Sequence, residues 1–321
     1  MCVKISRLFG RVSQEYTTAF INEVRSDRRR RKKWFAPDPY NGRKIMNVEE
    51  ANKFIAAAIR AGKPFMAGRY GNVELNAMWH VREDNKGFIA PVGKAFYALQ
   101  NNAGFFPNDK KLMIKFAEIM RWATSQVDLM AIWIMFMEQY ELSKYGNNPN
   151  YCWLPGVEPY HSKEGNWWSA ALEDKKVLVI TPFAKSTEQQ YQKRELLFPG
   201  TNILPKFKKL IVHKAVQTIA FNRDDRFNNW FEALDYMYNE AMKEDFDVAI
   251  IGCGAYGFPL AAKIKAAGKI SIHMGGAVQI LFGIRNKRWD GSAMTSNPAW
   301  VRPSAEETPK NAKNVENACY W

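Results

Sequence analysis

Four short stretches of the 321-residue chain hold residue types whose spacing could do chemistry. The first is Gly68-Arg-Tyr-Gly-Asn-Val-Glu74, which sets glycines, a guanidinium and a carboxylate at the start of an expected helix. Free backbone N–H groups and the positive dipole end of such a helix attract an anion. Gly71 would let the backbone approach a phosphate, and Arg69 would add bidentate charge. Glu74 could coordinate a divalent cation bridging phosphates. An ordinary helix start accounts for the same spacing, with Asn72 as cap, Glu74 on the dipole and Arg69 paired to Glu74.

The second stretch, Gly252-Cys-Gly-Ala-Tyr-Gly257, is a Gly-x-Gly-x-x-Gly between an expected strand and helix, the setting of a dinucleotide fingerprint. The acid that should hold a ribose about 20 residues on is absent, because the next strand ends Ile-His273-Met-Gly-Gly. Gly252, Gly254 and Gly257 therefore fit a phosphate or sugar edge better than NAD, and tight strand–helix packing explains them equally. The third stretch places His273 and Gln279 at a strand's carboxyl end, followed by the basic cluster Arg285, Lys287 and Arg288. The fourth, Thr181-Pro-Phe-Ala-Lys-Ser186, comes at a strand's end and could line the same crevice from Thr181 on; Lys185 and Ser186 could touch a phosphate, or Ser186 or Thr187 could simply cap a helix.

The elements that must position these residues read as α/β. Asn47 and Glu50 form a capping box for a helix ending at Gly62, followed by a strand at 64–67 and a helix at 72–81. Residues 110–122 and 128–144 are expected as helices and 146–168 as a long loop. Thereafter strands at 176–181, 209–213, 247–252 and 270–273 alternate with helices at 183–198, 227–243 and 259–267. Repeated strand–helix units imply a Rossmann-like, mostly parallel sheet with helices on both faces, in one large domain. The last thirty residues are expected to lie over its surface.

Charge is unevenly placed. Lys+Arg 46 against Asp+Glu 32 gives +14, and residues 1–34 carry half of it, with six consecutive cations from Arg28 to Lys33. Ile5, Leu8, Phe9, Val12, Tyr16, Phe20 and Val24 recur at helical spacing ahead of that run. The chain thus divides into a basic amphipathic leader, 1–34, and a domain, 35–321. The leader suits an anionic membrane surface through residues 1–33, or a helix docked on the domain; nucleic acid is the less favoured partner. The four cysteines have no metal or disulfide spacing, no apolar run reaches the ~20 residues needed to span a bilayer, and no signal peptide is evident. A cytoplasmic location is expected, peripheral at the inner membrane face if the leader anchors.

Taken together, the motifs resemble those of GT-D-type glycosyltransferases. Arg69-Tyr-Gly-Asn-Val-Glu74 is similar to that group's Arg-Phe/Tyr-Gly-Asp-x-Glu signature, and Val177 to Ser186 to its strand-Pro-Phe-x-x-Ser segment. The stretches Asp247 to Leu260, His273 to Gln279, Phe282 to Ile284 and Arg288-Trp289 extend the likeness, as does the terminal Val315 to Trp321. The resemblance implies transfer of a sugar from a nucleotide diphosphate donor, a UDP-sugar favoured, to a glycan or lipid-linked acceptor. It implies a divalent cation, Mn2+ or Mg2+, at Glu74 and Asn72; Asn72 stands where the family has Asp, so the site carries one charge fewer. Arg69 and the Arg285/Lys287/Arg288 cluster would neutralise the leaving diphosphate. Glu158 and His273 are the candidates for an acceptor base. Two alternatives remain open at this stage: an NAD(P)-dependent oxidoreductase using Gly252 to Gly257, and a non-catalytic protein that binds an anionic partner.

Overall fold

Strands in this chain are apolar on both faces. Lys176-Val-Leu-Val-Ile-Thr181 and Val248-Ala-Ile-Ile251 have no polar alternation, the pattern of a sheet covered on both sides. The computed structural model, which describes residues 12–30, 39–291 and 297–321, shows that sheet. Its strands are β1 (Ile45–Met46), β2 (Phe65–Gly68), β3 (Leu129–Ile132), β4 (Asn150–Trp153), β5 (Lys176–Thr181), β6 (Lys209–Lys214), β7 (Val248–Ile251) and β8 (Ile270–His273). They lie in the order β1-β4-β3-β2-β8-β7-β5-β6, and all neighbouring pairs are parallel.

Successive residues feed two separate cores. Met66, Met130, Leu178, Ile180, Ala249 and Ile251 face one side; Phe65, Ala67, Leu129, Val177, Val179 and Ile250 face the other. The first core is closed by α3 (Asn72–His80), α4 (Gly93–Ala103), α5 (Lys110–Gln126), α9 (Trp230–Met242) and α10 (Gly257–Ala266). The second is closed by α2 (Val48–Ala61), α7 (Ala184–Tyr191), α8 (Arg194–Leu197) and α11 (Val278–Leu281). The capping box of α2 is formed as expected, with Asn47 Oδ1 accepting from Glu50 N and Glu50 Oε2 from Asn47 N, both at 2.9 Å.

Register aligns the carboxyl ends. Gly68 lies opposite Met130, Thr181 opposite Lys214, and Ile251 opposite both Ile180 and His273. The loops after β2, β5, β6, β7 and β8 therefore leave from one edge, where ligands bind in open α/β sheets.

Two expectations are corrected. Residues 128–144 are not one helix: Leu129–Ile132 is β3, and α6 (Glu138–Tyr145) follows it. A four-residue run buried on all sides has no period that separates strand from helix. Its place is set by Asp128, whose carboxylate accepts Met66 N at 2.8 Å and Lys265 Nζ at 2.9 Å. Nor is 146–168 a structureless loop, since it contains β4 and short 3-10 turns at Leu154–Val157 and Pro159–His161. Helix α4, for its part, was not anticipated from the sequence.

In the leader, α1 (Gln14–Arg30) docks on the body. Tyr16 is fully buried, its hydroxyl donating to Trp79 O at 2.8 Å, while the Phe20 ring meets Phe136 at 5.4 Å. The amphipathic face at Tyr16 and Phe20 is thus committed to protein contact, whereas Val24 is 52% exposed. Ile5, Leu8, Phe9 and the cations 31–33 lie outside the described residues.

Glu138, at the start of α6, holds the turn after β3. One oxygen accepts from the N–H groups of Trp133, Ile134 and Met135, at 3.4, 2.8 and 3.2 Å, in a turn where Ile134 and Met137 are left-handed. Burial pushes its carboxyl up to about 8 despite those bonds. Between the ordinary carboxylate value and 8, the folded chain keeps a proton that the unfolded chain releases. Stability therefore falls as pH rises through that window, by up to ~1.4 kcal/mol per pH unit from this group. Denaturant titrations at pH 6, 7 and 8 should show the fall in wild type and a shallower one in Glu138→Gln; parallel slopes would refute the assignment.

Candidate active site

Beyond β2 the chain turns sharply through Arg69, Tyr70 and Gly71 into α3. Tyr70 pins the turn: it is completely buried, and its hydroxyl lies 2.5 Å from Thr124 Oγ1 on α5. Its carbonyl accepts from Arg69 Nη1 at 3.0 Å and Trp133 Nε1 at 3.2 Å, and the Arg69 guanidinium lies 5.2 Å from the Trp133 ring centroid. Arg69 Nε is buried without a partner. Glu74, in the first turn of α3, folds its carboxylate back over Gly71, so that a methyl on residue 71 would overlap it. Burial raises the Glu74 carboxyl, against the pull of its own N–H and of the Arg69 charge.

His273 closes β8. Its imidazole packs where a side chain on Gly257 would be, so this glycine makes room for the ring. Burial first, and the Arg69 charge second, push His273 down to about 3, against the pull of a backbone bond to Ile251. The ring is therefore neutral at physiological pH, and becoming imidazolium is opposed on both counts. Gly275, at φ +61°, brings the next turn against the Arg69 guanidinium. Arg69 thus touches the turns after β2, β3 and β8 together.

These groups share one cavity. Its wall includes Arg69, Gly71, Asn72 and Glu74 from the first stretch, and Thr181 after β5. Gly252 and Gly254 after β7, His273 and Gln279 after β8, and Arg288 complete the expected residues found there. Several of them are already engaged. The Gln279 amide donates to Tyr320 O at 2.9 Å and accepts from Asn286 Nδ2 at 3.2 Å. Arg288 donates to Glu316 Oε2 at 2.5 Å and lies 5.0 Å from the Tyr320 ring centroid. Gly252 is packed tightly against the Gly275 carbonyl and Val278, which explains that glycine without a dinucleotide.

The structure leaves five expected residues off the wall, among them Lys287, which donates to Asn317 O at 3.1 Å. Gly257 sits behind His273. Ser186 gives both its N–H, at 3.0 Å, and its hydroxyl to Glu307, so a carboxylate of the chain occupies the N-terminus of α7. Arg285 donates to Asn297 O at 2.6 Å and holds the 297–301 segment. Glu158 accepts from Tyr160 Oη and His161 Nε2, each at 3.0 Å, outside the cavity.

Other wall residues were missed in the sequence. Trp133 fell inside the misread helix. Gln217 and Thr218 follow β6, where Thr218 Oγ1 donates to Gly104 O at 2.5 Å and lies 3.0 Å from Tyr256 Oη. Val315, Glu316, Tyr320 and Trp321 also line the cavity. Residues 315–321 thus reach the cavity as well as covering the fold; the terminal aromatic pair was the signal.

Among the described residues, no three His, Cys, Asp or Glu side chains converge as a metal cage. The wall carboxylates are Glu74 and Glu316, and the latter is paired with Arg288. One carboxylate and the neighbouring Asn72 amide fit a cation that arrives on phosphates, which supply its remaining ligands. They do not fit an ion held by protein alone.

No family model and no curated protein matches this chain. Two solved structures of domain of unknown function 1792 are similar to it, one a selenomethionine-substituted form and the other described as having a distinct glycosyltransferase fold. Each is 12% identical, over 84% of this chain and 94% of that one, with a TM-score of 0.45.

A neutral His273 has a direct spectroscopic consequence. Its ring nitrogens, followed by 15N-detected NMR, should not titrate between pH 5 and 8. A midpoint near the ordinary histidine value would contradict the burial and charge described here.

Proposed function

We propose that the cavity binds a nucleotide diphosphate sugar and transfers the sugar to an acceptor hydroxyl, with residues 35–321 forming the transferase domain. The observation that carries the reading is that Arg69, whose Nε is buried without a partner, lies on the wall of one cavity together with Glu74 and His273. Buried polar groups are nearly always bonded, so an unsatisfied guanidinium at a cavity wall suits an anionic ligand. The motif resemblance across residues 45–321 supports the same reading.

In this reaction the bond from the sugar's anomeric carbon to the diphosphate breaks, one to the acceptor oxygen forms, and the acceptor proton leaves. Negative charge gathers on the departing diphosphate. Arg69, Arg288 and the N–H groups at the start of α3 are the groups that would face it. Glu74 and Asn72 would hold a divalent cation bound to that diphosphate, which when present supplies further charge neutralisation. His273, kept neutral, suits hydrogen bonding to a sugar or acceptor hydroxyl better than general-base catalysis, and Glu158 lies outside the cavity. The oxidoreductase alternative lacks its ribose-binding acid, and Gly252 is accounted for by packing.

Among the described residues no helix is long and apolar enough to cross a membrane. With Tyr16 and Phe20 docked on the body, contact of the leader with an anionic membrane surface would rest on the cations from Arg28 to Lys33. We place the enzyme at the cytoplasmic face of such a surface.

A thermal-shift series of nucleotide sugars, with and without Mn2+, tests the reading. A true donor at a hundredfold excess over its Kd stabilises by ~2.7 kcal/mol. Arg69→Ala should weaken UDP and UDP-sugar alike by roughly tenfold or more, the loss of a charge-assisted hydrogen bond. Glu74→Ala should abolish any Mn2+-dependent part of the shift. Saturable NADH binding with no response to any nucleotide sugar would sink the proposal.

A further inference from the structure

Two aromatic rings stand in water on segments that lead to the cavity. Tyr97 on α4 is 60% exposed and Phe221 is 47% exposed, and their centroids are 5.3 Å apart at 59°. They come together from segments 124 positions apart in sequence. Their placement costs backbone strain: Ala220 and Phe221 are both left-handed, at φ +54° and +57°, a conformation unfavourable for side chains with a Cβ. The strain is held in place by Ala220 N–H donating to Asn101 O at 2.7 Å, and by the Asn222 amide donating to Ile219 O at 2.7 Å and Lys310 O at 2.8 Å. The loop buries Ala220 and leaves the Phe221 ring in solvent.

Both segments run directly into the cavity. Asn102 and Ala103 at the end of α4, and Thr218 and Ile219 before Phe221, are wall residues. Tyr97 lies five residues from Asn102, roughly 7.5 Å along the helix axis and about 140° around it. Asn102 and Gln217, polar wall residues on these two segments, are neutral amides. A sugar ring offers matching chemistry, with a C–H face for an aromatic plane and hydroxyl edges for amides.

Building on the transferase reading, we propose that Tyr97 and Phe221 form an acceptor platform, and that the acceptor is an oligosaccharide whose inner sugars stack there while its terminal hydroxyl enters the cavity. The platform is a binding element, and its loss would affect acceptor affinity while leaving donor binding intact.

Saturation-transfer NMR with maltotetraose, cellotetraose and chitotetraose as probes tests this, alongside the UDP-sugar thermal shift. At least one glycan should bind saturably to wild type at millimolar concentration. Tyr97→Ala and Phe221→Ala should each weaken it ~fivefold or more, and Phe221→Trp should retain it. The melting temperature and the UDP-sugar shift should be unchanged, as these rings are exposed. Equal glycan binding by the variants overturns the platform, and so does failure of all three glycans to bind protein that responds to a UDP-sugar. A dimer in light scattering that Phe221→Ala dissociates overturns it too, because the rings would then serve contact between copies. Platform-dependent glycan binding with no nucleotide-sugar response would instead retain the platform and remove the transferase reading.

Discussion

The guanidinium of Arg69 is the charge around which this site is organised. It is part-buried among the Tyr70 carbonyl, the Trp133 ring and the Gly275 turn, on the cavity wall, so its field acts partly through protein. Interactions of that kind are far stronger than between exposed groups. Burial is the larger cause for both neighbours, raising the Glu74 carboxyl and lowering His273; the Arg69 charge adds to the second shift and opposes the first.

That arrangement depends on sheet order. β2 and β8 are far apart in sequence but adjacent in the sheet, and their in-register pairing puts Arg69 beside the turn after His273. β3 flanks β2 on the other side and contributes Trp133. The Glu138 carboxyl, although outside the cavity, fixes the turn that aims this indole. Glycines act at the closest approaches. At 71 and 257 a side chain would displace the groups that matter, Glu74 and His273 respectively.

Local signals were readable wherever one physical cause dominates. The capping box at Asn47 and Glu50, the doubly buried runs of β5 and β7, and the glycine stops at 62 and 268 survive in the fold with small boundary shifts. Failures came where tertiary context decides. Leu129 to Ile132 could be helix or strand until Asp128 ties it to β2. Ser186 has the same local chemistry whether its partner is a phosphate or Glu307, more than a hundred positions away. Glu158 looked free in an unstructured loop, yet its carboxylate is taken by Tyr160 and His161. Residue type and spacing report what a side chain can do; which partner reaches it first is a property of the fold.

Competition from internal anions narrows the ligand's choices. The N-terminus of α7 is filled by Glu307, which is buried and also bonded to Ser304, so an incoming phosphate would have to displace a fully satisfied carboxylate. Arg288 is paired with Glu316, but both are about half exposed, and such a pair is worth little in water. A diphosphate could exchange with Glu316 at small cost. At the start of α3 the N-cap Gly71 offers no side chain, the Glu74 carboxylate folds back over it and bonds its own N–H, and Arg69 Nε beside it has no partner. On the proposed reading, this order of satisfaction would direct an anion first to the Arg69 turn, next to Arg288, and away from Ser186. The terminal segment that carries both Glu307 and Glu316 would then do more than cover the fold, since Glu307 fills the start of α7 while the Glu316 pair stays open to exchange.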